Sequence, residues 1–153
     1  MISTDIDKKM EDFQSKISEG RSSIKYIELQ YDQLLQLKSQ IDNSIGKEQE
    51  SETSSKINKI SSDVQIKQAS MKGIIDSLEQ MIKEEQDEDN AETRMKKNLF
   101  DSMIKNYQDI CIKFQKLETD VKNIMQTKNI RAAEIVLVPI LIRFVWIIYK
   151  TSF

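Results

Sequence analysis

RMKKNLFDSM IKNYQDICIK FQKLETDVKN IMQTK, residues 94–128, decides the fold. Taken four and three apart, positions 96 to 128 hold Lys96, Phe100, Met103, Tyr107, Ile110, Phe114, Leu117, Val121, Ile124 and Lys128. All but the two terminal lysines are apolar or aromatic, and the residues between them are mostly polar or charged. A period of 3.5 held over four heptads describes one apolar seam along a long helix that faces other helices. Gly and Pro are absent from the stretch, so it predicts an unbroken helix about 50 Å long at 1.5 Å per residue. Such a seam has to be covered by partners.

Working outward, two more seams lie upstream. The first is Met10, Phe13, Ile17, Gly20, Ile24, Ile27, Tyr31, Leu34, Lys38, Ile41 and Ile45. Gly20 costs up to about 1 kcal/mol relative to Ala inside a helix, and its small size suits a close helix approach. Gly46 and the polar run 47–55 predict the end of this helix and a loop. The second seam is Ile57, Ile60, Val64, Lys67, Met71, Ile74, Leu78 and Met81, widened by Ile75 and Ile82 to the stripe of a bundle helix. The acidic run 84–90 follows. It lacks the spacing and the turn Gly of an EF-hand, so it reads as a solvated loop. Residues 1–9 read as a frayed polar segment. The expectation is an all-α, antiparallel up-down-up three-helix bundle with helices at about 10–46, 56–84 and 92–130.

Composition narrows the chemistry. The chain has 153 residues, a size for one domain, with 31% charged residues, three Gly and one Pro, the profile of long helices. A net charge of −2 argues against nucleic-acid binding. The absence of His removes the commonest general base and metal ligand, and a single Cys excludes an internal disulfide or a Cys-based zinc site. Cys111 lacks a base partner, the glycines are isolated, and the carboxylates fall on predicted solvent faces. No catalytic, cofactor-binding or metal site is expected, and the chain reads as a binding or structural domain. The polar N-terminus lacks a signal-peptide pattern, which places the chain in the cytosol. A partner surface would be an apolar groove between helices, with Ile75 and Ile82 of the second helix and Ile104, Cys111 and Met125 of the third at e positions as its candidates. The competing reading has these five completing the core.

The last 19 residues break the pattern. Residues 135–149 are nearly continuously apolar with no helical face, and they contain the only Pro (Pro139) and the only Trp (Trp146). A bilayer core needs roughly 20 residues as a helix, and Arg143 would cost about 2.5–3.5 kcal/mol at its centre. Trp146, Tyr149 and Lys150 look like an interfacial girdle. The tail is open to three readings: a marginal membrane anchor, a buried strand-like run, or sequence foreign to the domain.

The wording of the three helices resembles the N-terminal regulatory (Habc) domain of syntaxins, most of all the plasma-membrane branch. The residues that carry it are Met10-Glu-Asp-Phe13, Ile17 and Arg21-Ser-Ser-Ile24-Lys-Tyr-Ile27 in the first helix, and Ile60-Ser-Ser-Asp63-Val64 and Ser77-Leu78-Glu79-Gln80 in the second. In the third they are Arg94-Met95-Lys96-Lys97-Asn98, Tyr107 and the closing Arg131-Ala-Ala-Glu134-Ile135. The resemblance covers residues 10–135. It implies a monomeric bundle at the cytosolic face of the plasma membrane or an endomembrane. Such a domain folds on its own SNARE helix or binds a Sec/Munc-family regulator, and so controls vesicle-mediated transport, exocytosis and membrane fusion. The sequence departs from the family twice. The Asp-Arg-Thr type N-terminal peptide is not recognisable in Met1-Ile-Ser-Thr-Asp-Ile6, and an apolar tail stands where the linker to the SNARE motif should begin. The tail is then either a translated intron or frameshift that truncates the chain, or a genuine anchor. Rival readings are a coiled-coil protein that pairs with copies of itself and a small tail-anchored membrane protein.

Overall fold

The computed structural model describes residues 2–85, 89–128 and 144–150. Three long helices, α1 (Ile2–Asp42), α2 (Lys47–Lys83) and α3 (Ala91–Thr127), pack together, and a short helix α4 spans residues 144–150. Among the described residues there is no strand. The seams are the core: Phe13, Ile17, Ile24, Ile27, Leu34 and Ile41 of α1 are buried with Ile57, Val64, Met71 and Leu78 of α2 and Met103, Tyr107, Phe114 and Val121 of α3. Helix α1 packs closely along both partners, whereas α2 and α3 come close to each other at fewer places. Gly20 faces Met103 of α3 and Met71 of α2, and a Cβ there would collide with the Met103 sulfur.

The helix ends differ from the sequence expectation. Helix α1 already covers the polar segment 2–9, and it stops at Asp42, which leaves Ile45 fully exposed outside the seam. The run 47–55 is helix, not loop. It contains no Gly or Pro, and Glu48 and Glu50 sit in its first turn, where the helix dipole favours them. Glu52 pairs with Lys56 at 3.1 Å, and Thr53 and Ser54 are buried. The turn before it rests on Gly46, whose φ of 145° is open to glycine and strained for other residues. Asn90 caps α3, its Oδ1 accepting the Thr93 N–H at 2.8 Å. Of the predicted acidic loop, residues 86–88 lie outside the described residues. So do 129–143, the larger part of the apolar tail. Where the tail is described, at 144–150, it is helical instead of strand-like, and no helix among the described residues is long and apolar enough to cross a membrane.

The two lysines that close the α3 seam are held by polar partners. Lys96 is 2% exposed; its ammonium donates to both Glu85 oxygens at 2.8 and 2.9 Å, lies 3.1 Å from Glu92, and sits over the Phe13 ring at 5.7 Å. Burial pulls the Lys96 pKa down, but the bonds to Glu85 and Glu92 and their charges outweigh it, and the net shift is upward. At the other end Lys128 donates to the carbonyls of Asp42 at 3.0 Å and Ser44 at 3.3 Å, the carbonyls left over where α1 stops. Lys67, in the α2 seam, is displaced outward over the Tyr26 ring at 5.0 Å, and Gln68 takes the buried place.

Phe114 is wholly buried at the centre of α3. Phe114→Ala is expected to lower the unfolding free energy by about 3–5 kcal/mol, read from urea denaturation; an unchanged midpoint would refute this core.

Candidate docking face between the second and third helices

A helix with two neighbours must bury more than the a and d positions, and here the heptad e positions of α2 and α3 turn toward each other. On α2 they are Ser54, Ser61, Gln68, Ile75 and Ile82; on α3 they are Ile104, Cys111, Glu118 and Met125. Gln68 donates to the Cys111 sulfur at 3.5 Å, and Ser61 lies beside Glu118. Four of the five residues expected to line a groove, Ile75, Ile104, Cys111 and Met125, are closed to solvent within the core. Ile82 alone is half-buried, packed against the core's edge. They complete the core instead of lining an open groove, because the stripe they occupy is the one by which α2 and α3 touch.

Ser61, Gln68 and Glu118, the polar members of these two stripes, do not stand out in the sequence. As a carboxylate, Glu118 is expected on a solvent face, yet it stands seven residues from both Cys111 and Met125, and that spacing is the available signal. It is 0% exposed, and the nearby Ser61 hydroxyl is too poorly placed to make a full hydrogen bond to either of its oxygens. Burial pushes its carboxyl up to about 7, against smaller downward pulls from the Ser61 hydroxyl and the Lys122 charge. Ser61 Oγ and Gln68 Oε1 are likewise buried without a full hydrogen bond. The seam is therefore rich in unsatisfied oxygen, where the α1 interfaces are predominantly apolar. Cys111 is buried, and burial raises its thiol to about 11 despite the neighbouring Gln68 and Tyr107.

Helix α4 is seated on α2 through two residues one turn either side of Ile75. Lys72 stacks on the Trp146 ring at 4.7 Å, and Glu79 receives Lys150 at 3.2 Å, while Lys150 also approaches that ring at 5.3 Å. Ile147 is 4% exposed within the core, with Phe144 and Trp146 packed against it. Val145, Ile148 and Tyr149, the opposite side of α4, are exposed. Burying Ile147 contributes about 1.5–3 kcal/mol, and each cation–π contact about 0.5–1 kcal/mol near the surface. Seven residues cannot hold a helix alone, so these contacts hold α4 in place.

Elsewhere the described residues form open clefts. One of about 440 Å³ lies between α1 and α2, lined by Tyr26, Gln30, Gln33, Gln40, Lys59 and Asp63. Leu37 and Ile60 also line it, but polar side chains outnumber them, unlike the lining of a small-molecule site. No known protein family, curated protein or solved structure matches this chain.

Because Trp146 is the only tryptophan, its emission reports the seat of α4. Ile147→Asp is expected to shift that emission to the red, as for indole in water, while far-ultraviolet circular dichroism keeps the signal of the three long helices. Emission unmoved by the substitution would show that α4 does not rest on Ile147.

Proposed function

We propose that this chain is a syntaxin-like regulatory domain. In this reading the three helices run up, down and up as a monomeric bundle that binds an amphipathic helix of the fusion machinery, a SNARE helix or a segment of a Sec/Munc-family regulator, on its α2–α3 face. The up-down-up course is supported by paired contacts. Lys38 reaches Asp120 at 3.7 Å and Lys128 reaches the end of α1, so numbers rise together along α1 and α3. Along α2 and α3 they run oppositely, Gln68 beside Cys111 and Ser61 beside Glu118.

The observation that carries the binding role is that the α2 side of this face already holds a helix. Lys72, Glu79 and the core around Ile75 accept α4 with an aromatic, an aliphatic and a basic side chain, the inventory by which a groove reads an amphipathic helix. The domain's place is the cytosolic face of the plasma membrane or an endomembrane, where it controls vesicle fusion without catalysis or a cofactor. The exposed Val145, Ile148 and Tyr149 favour added contact of residues 135–149 with a lipid surface. The rival coiled-coil reading needs seams left open for a second copy, and those of the described helices are covered within the chain.

The test is a binding panel of recombinant SNARE-motif helices and a Sec/Munc-family regulator against the full chain by fluorescence anisotropy. At least one member is expected to bind saturably, and the double charge reversal Lys72→Glu/Glu79→Lys to weaken it tenfold or more with unchanged circular dichroism. Binding to no member, or binding indifferent to the reversal, would overturn the assignment.

A further inference from the structure

Glu118 has no place in the docking role, and its position is costly. Its carboxyl is fully buried at an e position of α3, and the Ser61 hydroxyl beside it is too poorly placed to make a full hydrogen bond to either oxygen. No cation reaches it from the described elements packed around it. On α3, Lys122 stands one turn on, near enough to act through its charge but in no ion pair with Glu118. From α1 the nearest charge at this level is Lys38, which is paired with Asp120. From α2 comes the uncharged Ser61, while Lys59 and Asp63 of the same stretch pair with each other at 3.7 Å. On α4, Lys150 is taken by Glu79. An ionised carboxylate in such a place loses its hydration, and the Ser61 hydroxyl and the Lys122 charge repay only part of that loss.

We propose that the α2–α3 seam is a proton-linked latch: it is shut while the Glu118 carboxyl is neutral, and ionisation of that carboxyl releases α2 from α3. Two features direct the opening to this seam. Helices α2 and α3 approach each other closely at fewer places than either approaches α1, so theirs is the interface with the fewest backbone-close contacts to give up. Parting them also returns the poorly satisfied oxygens of Ser61 and Gln68 to water along with Glu118, which recovers hydrogen bonds that the closed seam lacks.

The sign follows from where the proton sits. Below the ordinary carboxyl value of 4.5 Glu118 is neutral both shut and open, and pH has no effect through it. As pH rises toward about 7 the open form ionises first, so the shut form loses ground steadily; above that both forms are charged and the difference levels off. The whole span corresponds to a shift in the opening equilibrium on the order of a hundredfold. The inference stands apart from the fusion reading, since it concerns the bundle alone and needs no partner.

Amide hydrogen exchange of the full chain at pH 5.5 and 8.5, corrected for intrinsic rates, tests it. In the wild type, protection across residues 54–72 of α2 is expected to fall about tenfold or more relative to α1 at the higher pH. In Glu118→Gln, which keeps the shape and cannot ionise, the two pH values are expected to give equal relative protection; should that variant not fold, Glu118→Met is read in the same way. A wild type whose α2 protection does not change with pH, or a non-ionising variant that changes as the wild type does, would overturn the latch.

Discussion

One helix has to be covered from two sides, and the rest of the structure follows. The apolar stripe of α1, from Phe13 to Ile41, is buried by α2 along one flank and by α3 along the other. Covering one long stripe twice takes less chain than building three equal interfaces. Its consequence is that α2 and α3 are brought side by side by their common partner more than by their own affinity. Their mutual stripe can then tolerate what a primary interface could not: a glutamine on a thiol, a serine, and a carboxyl without a full hydrogen bond.

The ends of the bundle obey a different rule from its middle. Where the seams run out, helix termini leave backbone groups unpaired, and the α3 lysines answer them. Lys128 satisfies carbonyls where α1 stops, and Lys96 gathers Glu85 and Glu92 beside the Phe13 ring. A buried pair such as Lys96–Glu85 gives little net stability beyond an apolar alternative, but it penalises any register that would leave the charge alone. These contacts make the lengths of the helices matter.

The helices are legible in the sequence because a period of 3.5 held over many turns is produced by a helical seam and by little else. Their boundaries are less so. The polar run 47–55 reads as a loop, yet polarity alone does not break a helix that pairs Glu52 with Lys56 and buries Thr53. The α2–α3 face is half legible. Ile75, Ile104, Cys111 and Met125 stand out as apolar e positions, and their burial follows from the need of each helix to face two others. Glu118 does not stand out, because periodicity assigns a position to a face but says nothing of whether its neighbours can satisfy a carboxyl. The tail is the least legible. A continuous apolar run has no face of its own, and only the contacts of Lys72 and Glu79 give α4 one.

All of this depends on each chain satisfying its own seams, and light scattering coupled to small-angle X-ray scattering decides whether it does. A single species is expected near the chain mass of 17.9 kDa, with a longest dimension of roughly 60–70 Å, set by α1 at 1.5 Å per residue. A dimer with a longest dimension well beyond that of one helix would contradict it, because the seams would then be shared between copies and the α2–α3 face would not exist.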